Sequence, residues 1–277
     1  MTSVALTIAG SDSGGGAGIQ ADLKTFQELG VFGTSALTAV TAQNTLGVHG
    51  VWPLGPESVR AQMEVVFADF EVSAVKTGML FSGEIIGEVA AGLAGAGHPM
   101  LVVDPVMIAK GGAHLLREEA VEAMREKVLP MSTVITPNIP EAEVLAGMNI
   151  LNPEDMEEAG RRLIEMGTRS VVIKGGHLEK EERACDLFMD GRGERIWLSA
   201  ERIQTKDTHG TGCTFSAALT AFLAAGEPLE KAVVGAKRFI HAAISDGLGL
   251  GAGHGPTNHW AYHRAGSALK GEVLIDS

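Results

Sequence analysis

Short runs of aliphatic and β-branched residues alternate along this chain with segments whose apolar positions recur every three to four residues. The first kind reads as buried strand and the second as helix with one face inward. Strands are predicted at Val4–Ala9, Thr34–Thr41, Ala74–Lys76, Met100–Val103, Thr133–Ile135 and Ser170–Ile173. Helices are predicted between them, at Gly16–Leu29, Pro56–Phe70, Glu84–Leu93, Glu118–Val128 and Pro153–Met166, with a short one beginning at Asn138. Val59, Met63, Val66 and Phe67 mark the inward face of the second. Beyond Ile173 the rhythm changes. Ala184–Met189 and Arg195–Leu198 read as an antiparallel pair around Asp190-Gly191-Arg192-Gly193-Glu194, and the helices Thr214–Ala225 and Leu229–Ser245 follow.

Strands that alternate with helices predict one mainly parallel sheet covered on both faces. No linker, repeat or low-complexity stretch divides the chain, so residues 1–277 are expected to form a single α/β domain. The composition agrees: 45% of residues are hydrophobic, 5% are aromatic and 36 are glycine, which suits an aliphatic core with many tight strand–helix turns. A net charge of -12 argues against nucleic acid and anionic membranes as partners. Any phosphate must therefore be held locally. Two cysteines make no disulfide framework and fit a reducing compartment. No run of about 18 apolar residues suggests a membrane span, and the start of the chain does not read as a signal peptide. A cytoplasmic protein is expected.

Open α/β sheets bind ligands beyond the carboxyl ends of their strands. Those ends carry Asp12, Gln43, Asn44, Lys76, Asp104, Asn138, Glu141 and Lys174, a concentration that packing does not require and that favours an enzyme. The most informative segment is Asp207-Thr208-His209-Gly210-Thr211-Gly212-Cys213, immediately before an apolar helix. The first N–H groups of a helix lack internal partners and that end is electropositive, so glycines there let an anion approach closely. The segment reads as an anion hole with Cys213 beside it as candidate base or nucleophile, or as a plain helix start with a buried cysteine.

Gly10 to Gly18 also follows a strand and opens a helix, but it carries no G-x-G-x-x-G and no Gly-Lys-Ser/Thr. It reads as a loop on which a flat ligand can lie, or as a structural turn. Asn138 and Glu141 are three apart at a helix start, which suits either a capping box or Mg²⁺ held through water. His254, His259 and His263 lack the companions of a zinc set. Cys185 falls in a strand and reads as a small buried hydrophobe.

Three groups of residues resemble the ribokinase-like superfamily: Ile8-Ala9-Gly10-Ser11-Asp12, Thr136-Pro137-Asn138-Ile139-Pro140-Glu141 and Asp207 to Cys213. With Gly14 to Phe26, Ala42-Gln43-Asn44-Thr45, Lys76-Thr77-Gly78-Met79-Leu80 and Asp104-Pro105-Val106-Met107, the chain is more closely similar to the hydroxymethylpyrimidine and phosphomethylpyrimidine kinases of thiamine biosynthesis. The resemblance implies a three-layer α/β/α sandwich and transfer of phosphoryl from ATP, with Mg²⁺, to a hydroxymethylpyrimidine and then to its monophosphate. It implies an anion hole at Gly210, Thr211 and Gly212, a phosphate contact from Lys174, and Cys213 as base where the wider superfamily has Asp. It places Gly10, Ala17, Asp22, Gln43, Met79 and Val106 around the pyrimidine ring, Thr208 and Asp104 at the nucleotide, and Asn138 and Glu141 at Mg²⁺. It also implies a homodimer. A helix N-terminus is expected to lower the thiol pKa. Gln43-Asn44-Thr45 follows the pyrimidine-kinase pattern. A pyridoxal or pyridoxine kinase and a nucleotide-binding sensor are the alternatives.

Overall fold

The computed structural model describes residues 2–97, 99–107, 118–176, 183–264 and 273–276. Among these, one sheet is built from β1 (Val4–Asp12), β2 (Phe32–Asn44), β3 (Gly47–Pro53), β4 (Val72–Thr77), β5 (Met100–Val103), β6 (Val134–Ile135), β7 (Ser170–Lys174), β8 (Arg183–Asp190), β9 (Arg195–Glu201) and β10 (Leu274–Asp276). Their spatial order is β10-β9-β8-β7-β6-β5-β4-β1-β2-β3. Strands β2, β1, β4, β5, β6 and β7 pair in parallel. Both edges are closed by antiparallel pairs.

Alternate residues of each central strand enter different cores. Leu6 and Ile8 pack on one face and Ala5 on the other; Leu101 and Val103 oppose Val102; Val171 and Ile173 oppose Val172. The first face is covered by α2 (Pro56–Asp69), α3 (Gly83–Ala94), α4 (Glu118–Ala123), α5 (Ile139–Ala146) and α6 (Pro153–Glu165). The second is covered by α1 (Gly18–Glu28), α7 (Thr211–Ala224) and α8 (Leu229–Ser245). Burial on both sides is why the strands read as continuous apolar runs. Helix α7 is buried from Thr214 to Ala221 without a break, because it lies between the sheet and its neighbours α1 and α8.

Several predicted elements change shape. The expected helix over 118–128 is α-helical only to Ala123; a π turn at Met124–Val128 and a 3₁₀ turn at Leu129–Met131 complete it. Pro130 has no N–H to donate and cannot continue the α pattern. Strand β1 runs on through Gly10 and Ser11 to Asp12 because β2 pairs with it as far as Thr41. Strands β3 and β10 and the short α9 (Ala261–Arg264) were not foreseen. Cys185 is only half-buried rather than part of the core.

Among the described residues one ion pair is wholly enclosed. Lys76 Nζ on β4 lies 2.7 Å and 2.8 Å from the two carboxylate oxygens of Asp22 on α1, and Thr7 Oγ1 donates to the same carboxylate at 2.6 Å. Both side chains have no exposed surface. Burial works against the ammonium, but Asp22, with Cys213 and Asp104 adding to its pull, outweighs burial and raises the Lys76 pKa above its ordinary value. Removing one partner leaves an uncompensated buried charge. Asp22→Ala or Lys76→Met should each cost about 3–5 kcal/mol in urea unfolding, while Asp22→Leu with Lys76→Met should recover most of that loss. Equal destabilisation by single and double variants would show that packing, not charge, holds α1 to β4.

A second buried group braces α7. His259 Nε2 lies 3.1 Å from Thr214 Oγ1, and Thr257 Oγ1 lies 3.3 Å from the same hydroxyl. Burial lowers the His259 pKa to about 4, with Lys24 acting in the same direction. The unfolded chain therefore binds a proton near pH 6.5 that the folded protein refuses until about 4. The corresponding stability is fully present above the ordinary value and is lost as pH falls through that window. Wild type should lose up to about 3 kcal/mol between these pH values through this group, and His259→Asn should lose correspondingly less. Parallel pH–stability curves for the two proteins would contradict this.

Candidate active site

The carboxyl ends of β1, β4, β5, β7 and the start of α7 surround a cavity of about 860 Å³. Its first wall is the turn after β1. Asp12 Oδ1 accepts from Gly14 N at 2.8 Å, and Oδ2 accepts from Gly16 N at 3.1 Å and Ala17 N at 2.8 Å. His209 Nε2 lies 2.8 Å from that same Oδ2. Burial works to raise the Asp12 pKa, but the His209 and backbone hydrogen bonds hold it below the ordinary carboxylate value. Lys24 Nζ fixes the other side of the turn by donating to Gly15 O at 2.6 Å.

The second wall is the head of α7. Gly210 caps the helix with φ +81°, and a Cβ there would collide with the carbonyl oxygen of Gly16. Only glycine satisfies both conditions. The two glycine-rich loops are thus in backbone contact. Thr211 turns its hydroxyl back to Thr208 O at 2.7 Å. Gly212 faces Lys174, whose Nζ would lie 3.3 Å from a Cβ placed on it. An ammonium and a helix N-terminus share a sign, so their convergence makes a site for an anion.

Lys174 Nζ pairs with Asp104 Oδ1 at 3.1 Å. Asp104 also accepts from Ser216 Oγ at 3.2 Å and Thr136 Oγ1 at 3.3 Å. Burial disfavours the Lys174 charge, but Asp104 and then Glu141 outweigh it and raise its pKa. Beyond Lys174, Gly175 N donates to Asp186 Oδ1 at 3.0 Å, and Lys237 Nζ pairs with Asp186 Oδ2 at 2.7 Å. Asn138 and Glu141 form a reciprocal capping box on α5: Glu141 N donates to Asn138 Oδ1 at 2.9 Å and Asn138 N to Glu141 Oε2 at 2.8 Å. Burial pushes the Glu141 carboxyl up to about 7, against the pull of Lys174.

All the site residues read from the sequence line this cavity except Asp22, and of the polar strand ends only Asn44 lies off it. Asp22 does not reach it, because its carboxylate is consumed by Lys76 and Thr7; Lys76 itself borders the cavity in its place. The expectation for the Cys213 thiol is also corrected. Burial pushes its pKa up to about 11, and the opposing pull of Lys76 is smaller. The effect of the helix N-terminus does not overcome this desolvation. Sequence reasoning assigned no role to His209, although it lies inside the heptapeptide. It also missed the far wall formed by Arg202, Ile203, Ile240 and His241, residues that no motif marks. His259 bonds Thr214 and is no partner for His254 and His263 in a metal set. The segment 108–114, considered as a loop that could close over the site, lies outside the described residues.

The same arrangement has relatives. The hydroxymethylpyrimidine/phosphomethylpyrimidine kinase of Bacillus subtilis is 55% identical over 94% of this chain and 96% of its own length. That of Haemophilus influenzae is 57% identical over 94% and 97%. The structure of a pyridoxal kinase from Staphylococcus aureus in complex with AMP-PCP and pyridoxal is 37% identical, covers 100% of this chain and 99% of that one, and superposes with a TM-score of 0.90. A family model described as phosphomethylpyrimidine kinase matches residues 12–258. Because that match runs from the Asp12 turn, through the head of α7, to the segment that braces it, the chain belongs to the phosphomethylpyrimidine kinase family.

Proposed function

We propose that this protein transfers the γ-phosphoryl group of ATP to the hydroxymethyl oxygen of 4-amino-5-hydroxymethyl-2-methylpyrimidine, and then a second phosphoryl group to the resulting monophosphate. The observation that carries this reading is the convergence of Lys174 and the α7 N-terminus on one cavity that Gln43 also lines. Asp104 holds Lys174 beside that N-terminus, and both electropositive groups face the cavity, where a phosphate would be stabilised. Phosphoryl transfer has a loose transition state, so position and charge stabilisation supply most of the acceleration. The backbone N–H groups of Thr211, Gly212 and Cys213 would receive the transferring group. The alcohol oxygen attacks phosphorus, its proton leaves to the Cys213 thiolate, and ADP departs.

The donors present suit Mg²⁺, which takes one or two protein carboxylates and fills its shell with water and phosphate oxygens. Glu141 supplies a cavity-lining carboxylate, with Asn138 beside it in the capping box. Bound there, the ion would neutralise phosphate charge. Asp104 and Thr208 would stand on the nucleotide side. A second reading, pyridoxal or pyridoxine kinase, is favoured by the likeness to the Staphylococcus aureus enzyme, and a thiol at Cys213 can add to an aldehyde. A sensor without turnover would not need Cys213, Lys174 and the capping-box pair in one cavity.

A homodimer is supported by the exposed apolar residues Val40, Leu46 and Trp52 on the hairpin of β2 and β3. Among the described residues strand β3 pairs on one side only, as the last strand of the sheet, and a second copy would cover both. No helix among the described residues is long and apolar enough to cross a membrane; neither Cys185 nor Cys213 is in a disulfide, which supports a reducing, cytoplasmic location.

ADP release measured with the hydroxymethylpyrimidine, its monophosphate, pyridoxal and pyridoxine should give the highest kcat/KM for a pyrimidine. A higher value for pyridoxal would transfer the assignment to the second reading, and no turnover with any would favour the sensor. Cys213→Ala should lower kcat by roughly 10²- to 10⁴-fold. Because burial keeps the thiol protonated near neutrality, the wild-type rate should rise as pH increases from 7 to 9, and Cys213→Asp should flatten that rise. A pH-flat wild type together with near-full kcat in the alanine variant would leave catalysis to the anion hole alone.

A further inference from the structure

Gln43 is held by its backbone, leaving its amide to be oriented by neighbours. Ser13 Oγ donates to Gln43 O at 2.8 Å and accepts from Gln43 N at 2.8 Å. Its side-chain nitrogen then lies 3.4 Å from His209 Nε2, and its side-chain oxygen 3.1 Å from Thr41 Oγ1. His209 is equally fixed: its N–H donates to Gly255 O at 2.9 Å and its carbonyl accepts from Thr257 N at 3.3 Å.

Asp12 decides which ring nitrogen of His209 carries the proton. Its Oδ2, at 2.8 Å from His209 Nε2, already accepts two backbone N–H groups, and Oδ1 accepts a third. A carboxylate so surrounded stays ionised and is an acceptor only. Nε2 of His209 must therefore be the donor, in the neutral ring and in the cation alike. A donor cannot also receive a hydrogen from the amide nitrogen of Gln43. Thr41 gives an independent constraint. Its single hydroxyl proton is claimed both by Ser11 O at 2.9 Å and by the Gln43 side-chain oxygen. Turning the amide by half a rotation resolves both conflicts. The oxygen then faces the Nε2–H of His209 as the longer arm of a three-centre bond shared with Asp12 Oδ2, and the nitrogen donates to Thr41 Oγ1, whose proton stays with Ser11 O.

We infer that His209, oriented by Asp12, is a positioning residue that fixes the amide of Gln43 with its acceptor toward His209 and its donor toward Thr41. One lone pair and one N–H of Gln43 remain for the ligand, in a defined order. The inference rests on the reading of Gln43 as the group that recognises the pyrimidine edge. A 4-aminopyrimidine offers an N–H donor beside a ring-nitrogen acceptor and can match that order. A ring with the opposite order leaves both groups unpaired, which a site built on such bonds rejects strongly.

Two measurements test this. In ligand-free wild type labelled with ¹⁵N-histidine, the His209 resonances should report a protonated Nε2. An unprotonated Nε2 would overturn the inference without any variant. In kinetics, His209→Leu should raise KM for the hydroxymethylpyrimidine at least tenfold while KM for ATP changes less than threefold. His209→Gln, which can still offer an N–H to Asp12, should recover most of that affinity. The decisive comparison is His209→Leu in a Gln43→Leu background, where it should add little further to KM. Full additivity would overturn the positioning role while leaving Gln43 as a recognition residue. If Gln43→Leu alone left KM unchanged, the reading of Gln43 would fall and the specificity role of His209 with it, and the tautomer measurement would still decide the amide's orientation.

Discussion

A lysine is buried at the carboxyl end of this sheet only with an aspartate to neutralise it. Among the described residues three such pairs occur along the cavity: Lys76 with Asp22, Lys174 with Asp104, and Lys237 with Asp186. Each joins two different elements, so the condition that keeps a lysine charged also fixes the relative placement of strands and helices. Lone buried ammonium groups would lose their protons, and lone carboxylates would gain them. The pairs are a weak source of net stability, because desolvation offsets much of their attraction. Their consequence is positional: Lys76 borders the cavity close enough to Cys213 to act on its thiol, Lys174 faces Gly212, and Lys237 holds the carboxylate that receives the Gly175 N–H.

The backbone contact between Gly16 and Gly210 is the second constraint. It closes the turn after β1 against the head of α7, and no side chain fits between them. Asp12 completes the junction by gathering N–H groups from the first loop and the ring of His209 from the second. Ring recognition and phosphate binding therefore share one rigid seam. A displacement of either loop would alter both the amide of Gln43 and the N–H groups that receive phosphate.

The raised pKa of Cys213 changes how the chemistry is understood. A helix N-terminus lowers a thiol pKa, but Cys213 is half-buried in the cavity wall and desolvation prevails there. Such a group is a scarce but strong base, and its use is economical only if the transition state demands little proton transfer. A loose phosphoryl-transfer transition state meets that condition. The burden then falls on Lys174 and the α7 N–H groups, which require no titration at neutral pH.

The alternation of short apolar runs with helical periodicity was enough to predict a single parallel α/β domain, because strands buried on both faces must be apolar throughout. The heptapeptide before α7 and the polar strand ends located the cavity, since their physics is local: glycines, a helix start and side chains at fixed offsets. What depends on contacts distant in sequence was not legible. Strands β3 and β10 exist through pairing rather than through their own pattern. Asp22 resembled a ring contact but was claimed by Lys76, 54 residues away. The Cys213 pKa followed the density of its surroundings rather than its place on the helix. His209 showed nothing in the sequence beyond its position between Thr208 and Gly210, and acquired a role only when folding placed Asp12 and Gln43 on either side of it. Local propensity and short spacing are written along the chain, whereas charge partners, desolvation and hydrogen-bond direction are properties of the assembled neighbourhood.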